Sequence, residues 1–154
     1  MKTLFVILFI IVSHCHCLAC GCIGQSSVKK EIKRSGIVIV GKILDKEDFF
    51  VVDSLTRIKI SKVKYRIAIK TVYKGRFSTG IAEIITGTGN GDCGFEFEIG
   101  KSYIVYANYR NRLYPQGKNV REYLYTDACK RTRYEDGKEL SEIEKKLKPR
   151  VQNP

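Results

Sequence analysis

The sequence predicts a mainly β domain rolled into a small twisted barrel, and three observations predict it. Short β-branched and aromatic runs recur between turn residues from Ile37 to Thr126. Helical spacing is confined to one stretch before these runs and one after them. The cysteines stand far apart or in a tight pair, so bridges between them tie distant parts of the chain. Five to six strands, a short N-terminal helix, a C-terminal helix and two disulfides make the expected fold an OB-like barrel.

An N-terminal leader precedes that domain. Met1-Lys2 is followed by the apolar run from Leu4 to Val12, then by small or weakly polar residues ending at Ala19. This reads as a secretory signal peptide over 1–19, which leaves 20–154 as one domain that is secreted and extracellular. The apolar run is shorter than the ~20 residues of a spanning helix, and no later segment approaches that length, so no transmembrane segment is expected. Cleavage after Ala19 puts Cys17 and Ala19 at the two positions where small side chains are needed, and cleavage after Cys17 is the other option. Leu18-Ala19-Cys20 also resembles the end of a bacterial lipobox, with Cys17 where Leu usually stands. Lipidation there would block the Cys20 amine.

The leader takes Cys15, Cys17, His14 and His16 with it, and these include both histidines of the chain. Without histidine there is no imidazole general base, no histidine triad and no histidine zinc site, so an enzyme is not expected. Cys20, Cys22, Cys93 and Cys129 remain. In an exported domain they read as two disulfides, with three connectivities formally open. A four-thiolate zinc site is the alternative, but it usually draws on C-x₂₋₄-C pairs, and Cys93 and Cys129 are solitary. Cys20 and Cys22 stand one residue apart, where the Cβ vectors of an extended chain do not converge as a disulfide requires, so they do not bond each other and each seeks a distant partner. Of the 28 Lys and Arg only Lys2 is lost with the leader, and none of the 16 Asp and Glu, so the net charge falls by one from +12. Outside the cell such a surface suits a glycosaminoglycan or other polyanion, or serves solubility alone. Nucleic acid is not an expected partner: OB barrels with Tyr can stack bases, but export argues against it. A monomer is expected.

In chain order, Ser26 to Lys33 reads as a short helix with a Ser N-cap and with Val28 and Ile32 four apart on one face. Ile37 to Leu44 is an almost continuous β-branched run, expected as a strand buried on both faces, with Gly41 marking a bend or bulge. Asp45 to Asp53 reads as a protruding hairpin arm. Its Phe49 and Phe50 either form a contact surface or fold back onto the core, and the second is the commoner outcome. Ile58–Ile60 and Val63–Lys70 alternate at period two but out of phase, which one extra residue near Ser61-Lys62 would repair within a single long strand ending at Tyr73-Lys74-Gly75. Ile81 to Thr86 is a further strand. Gly87 to Gly94 lacks the Gly-Lys-Ser/Thr of a phosphate loop and reads as a connection delivering Cys93. Phe95 to Ile99 and Tyr103 to Ala107 then suggest a hairpin about Gly100-Lys101. Tyr123 to Thr126 is a late strand, and Leu140, Ile143 and Leu147 mark an amphipathic helix.

A C-x-C after a signal peptide, Val38-Ile39-Val40-Gly41-Lys42, Val72-Tyr73-Lys74-Gly75, Cys93-Gly94 with Gly100 to Val105, and Thr126-Asp127-Ala128-Cys129 come in an order that resembles the netrin-like domain of the tissue inhibitors of metalloproteinases. The resemblance implies the bridges Cys20–Cys93 and Cys22–Cys129. It also implies a zinc metalloproteinase as partner, whose active-site zinc is chelated by the α-amino group and carbonyl oxygen of Cys20. The chain needs no cofactor of its own on this reading. Cys20, Gly21, Cys22 and Ile23 are the implied protease contacts, with Gly91 and Asp92 beside them. Gly21 departs from the Thr or Ser usual there, and the family's third disulfide and C-terminal domain have no counterpart. The competing expectation is a netrin-like extracellular binding module that uses its basic surface without inhibiting.

Overall fold

The computed structural model describes residues 21–22, 24, 26–52, 56–113 and 122–151. The leader, Cys20 and Ile23 lie outside the described residues. The elements run α1 (Val28–Arg34), β1 (Ile37–Val52), β2 (Lys59–Lys74), β3 (Ile81–Thr86), β4 (Ser102–Arg110), β5 (Tyr123–Tyr125), β6 (Arg133–Tyr134), α2 (Gly137–Glu144) and β7 (Arg150–Val151). The sheet order β1-β2-β3-β5-β4 closes on itself, because β4 pairs back onto β1 from Ile37↔Ala107 to Lys42↔Ser102. β3 and β5 run parallel and the other pairs in the ring are antiparallel. The OB-like barrel expected from the sequence is therefore the fold. β6 and β7 are two-residue additions at the edges of β4 and β2.

Burial of β1 on both faces follows from where it lies. Ile37, Ile39 and Ile43 point into the barrel, while Val38 and Val40 pack outward against Val28 and Ile32 of α1 and Ile143 of α2. Each such side chain contributes roughly 1.5–3 kcal/mol by leaving water, and the outer cluster fixes both helices to one wall. A Cβ on Gly41 would come 2.5 Å from Ile67 Cγ2 and 2.6 Å from the Ala68 carbonyl oxygen, and the pairing with β2 shifts register there. α1 is capped by Ser27, whose hydroxyl accepts from the Lys30 amide at 3.3 Å. α2 is capped by Asp136, and its Ile143 is fully buried, with Leu140 and Leu147 packed alongside.

Three local expectations fail. Pairing runs unbroken from Val52↔Lys59 to Asp48↔Val63, with no extra residue at Ser61-Lys62. The phase change is real, but Ile58 and Ile60 lie in the arm, beyond the interior that would force them inward, so no bulge is needed. Phe50 does not fold back onto the core: it is 67 % exposed, with Val52 and Ile58 exposed near it. Phe95 to Ile99 is not a strand, although its alternation is kept, with Phe97 buried and Glu96 and Glu98 exposed. Its amides bond side chains in place of a ladder: Phe95 to the Thr86 hydroxyl at 2.8 Å, Phe97 to the Tyr65 hydroxyl at 3.4 Å and Glu98 to the Tyr103 hydroxyl at 2.9 Å.

Candidate functional site

Three stretches of chain meet at one rim of the barrel. Cys22 is bonded to Cys129, 107 residues away, with their Cα atoms 5.2 Å apart. Cys93 is also disulfide-bonded, and its carbonyl accepts from the Ala128 amide at 2.9 Å, which sets the Cys93 loop against the turn that carries Cys129. That turn is closed by Asp127, whose carboxylate accepts from the Cys129 amide at 3.0 Å. The three described cysteines are thus oxidised, which overturns the four-thiolate zinc alternative.

The loop from Gly87 to Gly94 is folded around one carboxylate. Asp92 accepts from the amides of Thr88 at 2.8 Å, Gly89 at 2.9 Å and Gly94 at 3.1 Å. Burial alone would raise this carboxyl, yet the three amides and the charge of Lys62 hold it below its ordinary range. The loop crosses itself so closely that a Cβ on Gly94 would lie 2.1 Å from the Gly87 backbone. Cys93 takes a left-handed φ of +58° at the end of this turn. Asp92 is half-buried and turned inward, and Gly91 stands exposed at the tip.

The N-terminal segment approaches the same rim from the other side. Gly21 and Cys22 are exposed, and nothing lies within 4 Å of where a Gly21 Cβ would be. The Gly24 amide folds back to the Cys22 carbonyl at 2.8 Å. Below it sits a charged network that the sequence did not announce. Glu31 of α1 has no exposed surface, accepts from Ser26 Oγ at 2.6 Å and Ser35 Oγ at 3.3 Å, and pairs with Arg34 at 2.5 Å and Lys130 at 3.8 Å. Burial pushes its carboxyl up, but the Arg34 and Ser26 hydrogen bonds and the two cations bring it below the usual carboxylate range. Arg131 donates to the Ser26 carbonyl at 2.7 Å and grips the buried Glu139 of α2, whose carboxyl is likewise held low against burial by Arg131 and Tyr106. Glu31 falls five residues after Ser26 and four after Ser27, outside the three-residue spacing of a capping box, and its i, i+3 spacing to Arg34 reads as an ordinary surface pair, so nothing local announced its burial.

Among the described residues no group of three or more His, Cys, Asp or Glu is placed to hold a metal ion, and no helix is long and apolar enough to cross a membrane. The fold and the rim together define a barrel whose N-terminal segment is bolted to one edge and left exposed. The model of the Tissue inhibitor of metalloproteinase family matches residues 18–130, and the chain belongs to that family of metalloproteinase inhibitors. The match ends one residue past Cys129, so β6, α2 and β7 lie beyond it. No curated protein matches the chain.

Proposed function

We propose that the chain is a secreted inhibitor that blocks a zinc metalloproteinase with its own N-terminus. Removal of residues 1–19 frees the α-amine of Cys20, and that amine with the Cys20 carbonyl oxygen closes a five-membered ring on the protease's zinc. A catalytic zinc keeps a position open for water or substrate, and the chelate displaces the water it would activate. The observation that carries the reading is the Cys22–Cys129 bridge, which fixes the exposed residue two places after Cys20 to the barrel rim. With Cys22 and Cys129 taken, Cys20 is the partner we assign to the disulfide-bonded Cys93. Two bridges, one on the chelating residue and one two places on, reduce the ordering cost of binding.

Gly21 enters the pocket that normally receives a substrate side chain and leaves it unfilled. Cys22, Ile23, Gly91 and Asp92 border the contact. Because the Asp92 carboxylate is occupied by three amides, this turn meets the protease through Gly91 and the loop backbone.

A second reading, compatible with the first, concerns the basic surface. Lys29, Lys30 and Lys33 of α1, and Lys145, Lys146 and Lys148 after α2, are exposed, and none is ion-paired among the described residues. Such a face suits a sulfated polysaccharide. The test of the main reading is the N-terminal mass of the exported protein under non-reducing conditions, followed by inhibition assays against zinc metalloproteinases. A free Cys20 terminus with inhibition is expected. An extended or acylated terminus on a protein that still inhibits would overturn chelation.

A further inference from the structure

Three consecutive residues hold three points of the N-terminal segment. Cys129 bonds Cys22, Lys130 pairs with Glu31 at 3.8 Å, and Arg131 donates to the Ser26 carbonyl at 2.7 Å. The grip is reciprocal, since Arg34, itself paired with Glu31, donates to the Cys129 carbonyl at 3.0 Å. Arg131 is anchored in turn, with Nε 2.8 Å from Glu139 Oε1 and Nη2 bonded to Oε2, so its fork is aimed before it meets Ser26. Glu139 is only 3 % exposed and also accepts from the Tyr106 hydroxyl at 2.8 Å.

Two bridges, at Cys22 and at the assigned Cys20, fix two points and leave the short segment free to turn about the line through them. A third fixed point at Ser26, four residues beyond Cys22, removes that rotation and sets the direction in which Gly21 faces. We propose that Arg131, anchored on Glu139, and Glu31 are positioning residues that aim the N-terminal segment, so that loss of either loosens Gly21 while both bridges and the barrel stay intact. A fixed guanidinium fork suits this task, because it holds a carboxylate through two parallel bonds and presents a further N–H to the backbone carbonyl in one rigid plane, whereas an ammonium is a point charge on a flexible stem. The effect on inhibition rests on the chelation reading above, whereas the effect on order does not.

The experiment compares the full exported protein with Arg131→Lys, which keeps the charge beside Glu139 but loses the fork, and with Ser26→Ala, which removes one hydroxyl from Glu31 and leaves the ion pairs. Backbone order of Gly21 and Gly24 is measured by ¹⁵N relaxation, alongside dissociation from a zinc metalloproteinase that the native protein inhibits. Arg131→Lys is expected to drop the Gly21 and Gly24 order parameters from about 0.85 toward 0.6 with the barrel amides unchanged. Dissociation should become roughly tenfold faster with association unaltered. Ser26→Ala should shift both readouts the same way by less, and it decides the matter if Arg131→Lys fails to fold. Native order at Gly21 in the variants, or loosened order with unchanged dissociation, would overturn the proposal. If the native protein inhibits no zinc protease, the chelation reading falls and the amide order still decides whether the segment is aimed.

Discussion

The rim around Cys22 and the hairpin arm at the end of β1 both project past the barrel, and the chain secures them by opposite means. At the rim a disulfide, buried carboxylates and paired guanidinium groups hold a segment with no regular structure of its own. In the arm a ladder from Val52↔Lys59 inward carries the load, helped by the exposed pairs Asp45–Arg66 and Glu47–Lys64, while Phe50 and Val52 stay in solvent. Exposed ion pairs contribute little, whereas a broken buried pair is costly. The contrast teaches that side chains pin the rim at separate points, whereas a backbone ladder carries the arm and leaves its apolar side chains in solvent. On the chelation reading, a two-atom chelate needs the first arrangement.

The largest effect should come from removing the rim's covalent staple. Replacing Cys22 and Cys129 together by Ala opens a 107-residue loop, worth up to about 4.7 kcal/mol in the chain-entropy model and less if the Cys93 bridge already shortens that loop. Denaturant unfolding measures the loss, and inhibition should disappear with it. Next is acid. Glu31 and Glu139 ionise more readily folded than unfolded, so their charge favours folding above the unfolded value near 4.3. That contribution is lost as pH falls through the lower folded values, so the unfolding midpoint should drop steeply below about pH 4, and Glu31→Gln should flatten the profile.

A smaller change is expected at Gly21. A Cβ there meets nothing within 4 Å, so Gly21→Thr should leave the thermal midpoint alone and tighten inhibition by roughly tenfold as the side chain fills the protease pocket. The arm should show the least. Phe50→Ser and Glu47→Gln are expected to leave the unfolding midpoint where it was, and a clear loss of stability in either would erase the contrast between arm and rim.

Much of this was legible in the sequence where burial and periodicity coincide. The double-faced run from Ile37 to Ile43, the β3 and β5 strands and the spacing of Leu140, Ile143 and Leu147 are direct imprints of what each face touches. Legibility failed where partners are non-local or absent. Phe95 to Ile99 alternates like a strand, but its amides go to Thr86, Tyr65 and Tyr103 hydroxyls that no local pattern announces. Ile58 and Ile60 suggested a bulge only on the assumption that every apolar residue faces the interior. At the site, C-x-C and two solitary cysteines pointed to the rim. The charges that hold the rim did not show, because a buried Glu reads like any surface Glu until Lys130 and Arg131 are brought beside α1.

The most direct test is inhibition of a zinc metalloproteinase by the exported protein before and after carbamylation of its α-amine, read across pH. A free α-amine titrates near pH ~7.7–8.0 and must lose its proton to bind zinc, so native inhibition should weaken as pH falls through that range and vanish once the amine is blocked. A carbamylated protein that inhibits as strongly as the native one would contradict the account.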